Sequence, residues 1–275
     1  MPELPRVNPE LLAQALHAFL REELRTSGLT GYVVGLSGGL DSAVSAALAA
    51  SAVGPKQVRA LAIPGPSSSP ESLAHARLVA EAFSLPLEVV DLSQAADALA
   101  ASLGAREDRL RFGNLMARLR MVVLFDRARA LPSLVLGTSN KSEILLGYST
   151  LFGDSASSVN PLGDLWKTQI YALAQYLGIP TPLLIKPPTA DLWPGQTDAG
   201  ELGFDYLDAD PVLYWHHEQG LGRDALVAAG FRPELVDAVL RAYRRNRFKW
   251  RPTVVARVSA SAVNVDRILP RNPEN

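Results

Sequence analysis

The segment Gly35-Leu36-Ser37-Gly38-Gly39-Leu40-Asp41-Ser42 joins two runs of different character. Before it, Tyr32 to Leu36 is a short apolar run opening at Gly31; after it, an Ala-rich stretch from near Ser42 has helical composition. The order is strand, loop, helix, and at the carboxyl end of a strand in an open parallel sheet such a loop is where ligands bind. Two adjacent glycines let successive N–H groups point the same way, Ser37 and Ser42 add hydroxyls, and the helix N-terminus adds partial positive charge, which together make an anion cradle. No G-x-x-x-x-G-K-[ST] segment occurs, so the loop is not of the Walker type. The same residues also fit the Gly-x-Ser-x-Gly nucleophile elbow of serine hydrolases, with Ser37 as nucleophile. Only one strand precedes Ser37, however, and His75, His216 and His217 lack a distinctive setting.

Outward from the loop the alternation continues. Leu11 to Leu24 has apolar residues at helical spacing behind Asn8 and Pro9, which suit an N-cap and first helical position. Val58 to Ile63, Leu87 to Val90 and Leu134 to Leu136 read as strands, and Pro70 to Phe83 and Leu115 to Ala130 as helices. Buried strands without clean alternation, separated by helices, predict a parallel α/β sheet covered on both faces. Beyond Gly137 a long loop spans Gly147 to Asp164, a helix follows over Leu165 to Leu177, and Pro187 to Gly203 is rich in Pro, Gly and Asp. Loops of that length inside a domain are usually functional. From about residue 205 the chain reads as mainly helical, and residues 1–275 are expected to form a single domain.

The 275 residues are 48% apolar and 20% charged, enough to bury a large core. With Lys+Arg 27 against Asp+Glu 28 there is no overall basic field for nucleic acid or an anionic membrane, so an anionic ligand must be met locally. A cysteine count of zero excludes thiolate metal sites, disulfides and a cysteine nucleophile in this chain. Met1 to Pro9 has no leader-like pattern, and Ala43 to Val53 is too short to cross a bilayer, so a soluble, cytoplasmic protein is expected.

Ser37-Gly38-Gly39-Leu40-Asp41-Ser42 resembles the signature of the PP-loop ATP pyrophosphatases, which hold the pyrophosphate of ATP on the loop and split it between the α- and β-phosphates. Five more blocks occur in matching order: Met116 to Met121, Leu136 to Glu143, Pro161 to Thr168, Pro188 to Leu192, and Gln196-Thr197-Asp198 with Glu201-Leu202-Gly203. With them the chain is similar to the ammonia-dependent NAD synthetases. The resemblance implies a Rossmann-like fold, a ligase reaction and a homodimer. ATP contacts would come from Gly35 to Ser42, Thr138, Lys167 and Thr189, and Mg²⁺ ligands from Asp41 and Glu143. Asp41 and Lys167 would carry the chemistry, while Arg118 and the Phe248-Lys249 pair would contact deamido-NAD. Mg²⁺ favours a few carboxylates with water and phosphate oxygens, which fits two acids meeting at a triphosphate.

Two departures stand out. Where many ammonia-dependent members carry a lysine and an aspartate that touch substrate, this chain has Leu151 and Ser158; and Phe248 replaces the histidine of a His-Lys pair. The segment Gly147 to Asp154 looks closer to glutamine-dependent relatives, whose added glutaminase domain needs a cysteine. Without one, free ammonia is the expected nitrogen source, unless a separate subunit delivers it. Another PP-loop enzyme acting on a nucleotide or tRNA base is the alternative within the superfamily.

Overall fold

In the computed structural model four parallel strands lie side by side in the order 87–89, 58–62, 31–35 and 133–136, and residues 3–193, 195–250, 255–256 and 258–259 are described. The chain enters through α1 (Pro9–Ser27), whose start is fixed by the Asn8 side chain accepting from the Glu10 and Leu11 N–H groups. Then come β1 (Gly31–Gly35), α2 (Leu40–Val53), β2 (Val58–Ala62), α3 (Pro70–Ala82), β3 (Leu87–Val89), α4 (Ser93–Leu103), α5 (Arg109–Ala130) and β4 (Ser133–Leu136). After the sheet the chain forms α6 (Lys141–Leu146), α7 (Lys167–Tyr176), α8 (Thr181–Ile185), α9 (Asp198–Leu202), α10 (Tyr206–His217), α11 (Arg223–Ala228) and α12 (Pro233–Arg245).

Adjacent residues of β1 face opposite layers. Tyr32 and Val34 enter the core formed with α1, α2 and α7, whereas Val33 meets Leu61, Val135, Met116 and Ala128 on the α5 side. On α2, Ala43, Ala46, Ala47 and Ala49 are fully buried, and their small size lets the helix lie close to the sheet and α1. A third apolar cluster joins Leu145 and Leu146 of α6 to Val212, Leu213, Val236, Val239 and Leu240 of α10 and α12. The C-terminal helices are thereby fastened to the helix that follows β4.

Strand order reverses at β1, which pairs with β2 on one side and β4 on the other. The carboxyl ends of β1 and β4 are in register through Val34 and Leu136, so the loops beginning at Gly35 and Gly137 open side by side. This is the crevice where open α/β sheets bind ligands.

The parallel sheet flanked by helices is as expected. Three local differences have simple causes. Asp108 caps the Arg111 N–H and starts α5 at Arg109, six residues earlier than apolar spacing suggests. α4 buries only Ala96 and Ala100, too small a stripe to stand out. Within the Pro/Gly/Asp-rich stretch, Thr197 accepts from the Gly200 N–H and begins the short α9. Among the described residues no helix is long and apolar enough to cross a membrane.

Candidate active site

The loop between β1 and α2 is held open by its own hydroxyls. The Ser37 N–H donates to Ser42 Oγ (3.2 Å), the Gly39 N–H donates to Ser37 Oγ (3.2 Å), and Ser42 Oγ donates to the Gly39 carbonyl (3.0 Å). Gly38 has φ +75, and a Cβ there would stand 2.7 Å from Ser72 Cα, so both the turn and the approach of α3 require glycine. No side chain caps α2, whose N-cap is Gly39. Its first N–H groups are left for a ligand, and the helix dipole favours an anion there.

Beside the loop, three charged side chains from distant segments converge. Lys167 Nζ donates to Asp41 Oδ2 and lies 3.4 Å from Glu143 Oε1. Asn140, fully buried, donates from Nδ2 to Asp41 Oδ1 (3.2 Å) and forms a reciprocal cap with Glu143 at the start of α6. One lysine thus faces two carboxylates. Burial pushes the Glu143 carboxyl up to about 8, with Lys167 pulling the other way. The Lys167 ammonium is held charged: burial alone would lower its pKa, but Asp41 and Glu143 raise it overall. Among the described residues no three His, Cys, Asp or Glu side chains sit together as a metal site. Asp41 and Glu143 are carboxylates of the kind that could hold Mg²⁺ together with phosphate and water oxygens.

Two adjoining cavities meet at this point. The smaller, about 130 Å³, is lined by Gly39, Asp41, Glu143, Lys167, Lys186 and Thr189 among others. The larger, about 550 Å³, runs from Gly35 and Leu36 past Ile63, Arg120 and Met121 to Lys249. Ser37, Thr138 and Tyr148 line both. The larger is roofed where Ser67 Oγ donates to the Leu192 carbonyl (2.8 Å) and the Ser69 N–H donates to Asp191 Oδ2 (3.2 Å). Lys249 Nζ donates to the carbonyls of Gly147 and Ser149, both at 2.7 Å, and so shapes the wall of this cavity. Arg118 and Phe248 lie elsewhere. Arg118 is exposed on α5 and donates to the Leu151 carbonyl (3.3 Å), and Phe248 is 65% exposed; neither lines either of these two cavities. Ser158 exchanges hydrogen bonds with the backbone of Val135, beside the sheet rather than in a cavity.

The three histidines named above are engaged with other groups: His216 with the Leu221 carbonyl, His217 with Tyr243 Oη, and His75 with Glu71. Ser37 Oγ contacts Ser42 Oγ and the Gly39 N–H, and among the described residues no histidine is hydrogen-bonded to it, which disfavours the hydrolase reading.

The NAD synthase family model matches residues 12–253. The chain belongs to the NAD synthase family. It is 46% identical over 260 residues to an NH(3)-dependent NAD(+) synthetase of Trichlorobacter lovleyi, covering 94% of this chain and 95% of that one. Among solved structures it is similar to the NH3-dependent NAD synthetase of Campylobacter jejuni, with TM-score 0.77, 30% identity, and 91% of this chain and 100% of that one covered. It is equally similar to an NMN synthetase of Francisella tularensis, with TM-score 0.79, 30% identity, and 91% and 99% covered.

Three parts of this NAD synthase site escape a sequence reading. Lys186, just past α8, reaches the loop with Nζ 3.4 Å from the Gly38 carbonyl and 3.2 Å from Ser72 Oγ. Asp198, 4% exposed, accepts from Tyr206 Oη (3.0 Å), and among the described residues its other carboxylate oxygen has no hydrogen-bond partner; burial raises its pKa, with Lys167 pulling the other way. Asp210, fully buried in α10, accepts from Ser142 Oγ (2.6 Å) and from the Thr168 N–H and hydroxyl (2.9 Å each). The signal available for Asp198 was its place in the Gln196-Thr197-Asp198 block; for Lys186 and Asp210 there was none beyond residue type.

Proposed function

We propose that this chain makes NAD by ATP-dependent amidation of deamido-NAD with ammonia, releasing AMP and pyrophosphate. One observation carries the reading: the loop, Asp41, Glu143 and Lys167 converge intact in a chain 46% identical to an NH(3)-dependent NAD(+) synthetase.

A carboxylate resists attack by ammonia until one oxygen becomes a leaving group. The nicotinate carboxylate attacks the α-phosphate, pyrophosphate departs, and ammonia displaces AMP from the acyl-adenylate. The loop N–H groups of Gly38, Leu40 and Asp41 bind the phosphates, with Ser37, Ser42, Thr138 and Thr189 supplying hydroxyls. The adenosine and the acceptor share the larger cavity, beginning at Gly35 and Leu36. Lys167 neutralises charge that builds on the phosphate in the transition state, a role that needs a fixed cation and no proton transfer. Asp41 and Glu143 would hold Mg²⁺, which supplies charge neutralisation to the triphosphate when bound. No histidine is needed as base.

The working unit is a homodimer in which Arg118 and Phe248-Lys249 meet deamido-NAD. Arg118, Val122 and Phe125 share one face of α5, and Val122 and Phe125 are 56% and 38% exposed, which supports this helix face as the contact. Residues 1–275 act as one synthetase domain.

The test is a coupled assay for NAD formed from deamido-NAD, ATP, Mg²⁺ and ammonium by the purified chain. Because the Francisella relative is named for NMN, nicotinate mononucleotide is assayed as a second acceptor. Higher kcat/KM with deamido-NAD supports the reading, and higher kcat/KM with the mononucleotide replaces it.

A further inference from the structure

The smaller cavity contains two lysines in different electrostatic situations. Lys167 is paired with Asp41, and Glu143 Oε1 lies 3.4 Å away. Lys186 is half-buried and meets only neutral oxygens, the Gly38 carbonyl and Ser72 Oγ, with no carboxylate paired to it among the described residues. A cation partly withdrawn from water without a counter-charge is unfavourable, and an anion arriving beside it relieves that cost. The uncapped start of α2 lies at the same loop, so both features favour negative charge in the same place.

Size decides which anion. A cavity of about 130 Å³ is too small for a nucleoside, whereas the adjoining 550 Å³ is of ligand size. Lys186 lines only the small cavity. A triphosphate whose adenosine lies in the large one passes Ser37 and ends against Gly39 and Lys186.

We infer that Lys186 grips the β- and γ-phosphates of ATP and holds the departing pyrophosphate. This rests on the NAD synthase reading above. In the step concerned, a carboxylate oxygen forms a bond to the α-phosphorus and the bond from that phosphorus to the bridging oxygen breaks. Pyrophosphate leaves with the electron pair. Lys186 remains protonated throughout, so its contribution is charge and contact.

The alternative is that Lys186 merely ties the segment after α8 to the loop. Phosphate count separates the two. Titration calorimetry of Lys186→Met and Lys186→Arg with inorganic pyrophosphate and with AMP gives the comparison. For the methionine variant, affinity for pyrophosphate should fall roughly 10- to 100-fold, as expected for losing a charged hydrogen bond. Affinity for AMP should stay within about twofold of the unmodified chain, and arginine should restore most pyrophosphate binding. Equal losses for the two ligands, or no loss for pyrophosphate, would overturn the inference. If the methionine variant does not fold, as judged by its melting curve, Lys186→Gln replaces it with the same expectations. The unmodified chain failing to make NAD would defeat the synthase reading, while the pyrophosphate and AMP comparison would still decide the role of Lys186.

Discussion

Asp210 on α10 accepts a 2.6 Å hydrogen bond from Ser142 Oγ on α6, and Ser142 Oγ in turn accepts from the Lys167 N–H at 2.9 Å. The C-terminal helices therefore set the position of a lysine whose ammonium works beside Asp41. Asp210→Ala would leave Ser142 and Thr168 groups unpaired in a dry interior, each at a cost of about 1–3 kcal/mol. Urea unfolding should show a loss of at least about 2 kcal/mol. NAD formation measured well below the melting temperature should fall too, through kcat, because Lys167 shifts. Unchanged kcat would show that Asp210 only stabilises.

Lys167→Ala and Asp41→Ala test the centre of the site. Removing one fixed charge stabiliser typically costs roughly 10²–10³ in rate, and that loss is expected in deamido-NAD-dependent AMP formation for each variant. The two changes should combine less than additively, since the lysine and the aspartate are hydrogen-bonded partners. Near-normal turnover in either variant would remove that residue from the mechanism.

Glu143 makes stability pH-dependent in a defined direction. In the folded chain it keeps its proton up to about pH 8, against an ordinary value of 4.5, so between these values the folded state binds more protons than the unfolded one. Stability from this group is present below the lower value and is lost as pH rises towards the upper one. Glu143→Gln has no proton to lose. Without nucleotide or metal, its melting temperature should gain on the parent chain as pH rises from about 5 to about 8. A difference that is flat across that range would contradict the assignment. The same substitution should weaken Mg²⁺-dependent ATP binding, since an amide is a poorer ligand for a hard cation.

Much of this was legible beforehand because it depends on local chemistry. Asn8 and Pro9 announce α1, and Gly38-Gly39 between an apolar run and an Ala-rich one announce the strand, loop and helix that place the site. Asp41, Glu143 and Lys167 lie in recognisable blocks, and the structure brings them within contact. Asp210 and Lys186 act through partners 68 and 114 positions away along the chain, at Ser142 and Ser72, and no periodicity encodes such pairs. Arg118 and Phe248 show the converse. Their motif is visible, yet neither lines the two cavities described, so their proposed role rests on the proposed dimer.

That partner can be tested directly. Val122→Asp places a charge on the apolar face of α5, where Val122 is 56% exposed and contributes nothing to the monomer core. Light scattering should report a dimer for the parent chain and a monomer for the variant, with the melting curve of the monomer little changed. Arg118→Ala should leave the dimer intact and raise KM for deamido-NAD more than KM for ATP. A parent chain that is monomeric at assay concentration yet fully active would reject the shared site.

The nitrogen donor follows from what the polypeptide contains. Release of ammonia from glutamine by the route of glutamine-dependent relatives uses a cysteine nucleophile, and none of the 275 residues is cysteine. Free ammonia from solution is then the expected attacking species, unless a separate subunit delivers it. Ammonia is the neutral form of an ion that deprotonates only in alkaline solution, so kcat/KM expressed for total ammonium should climb with pH while ATP–pyrophosphate exchange driven by deamido-NAD changes much less. Purified chain should make NAD with ammonium and none with glutamine. Glutamine supporting turnover without any added subunit would show a second ammonia-releasing centre in this chain and would overturn the ammonia-dependent reading.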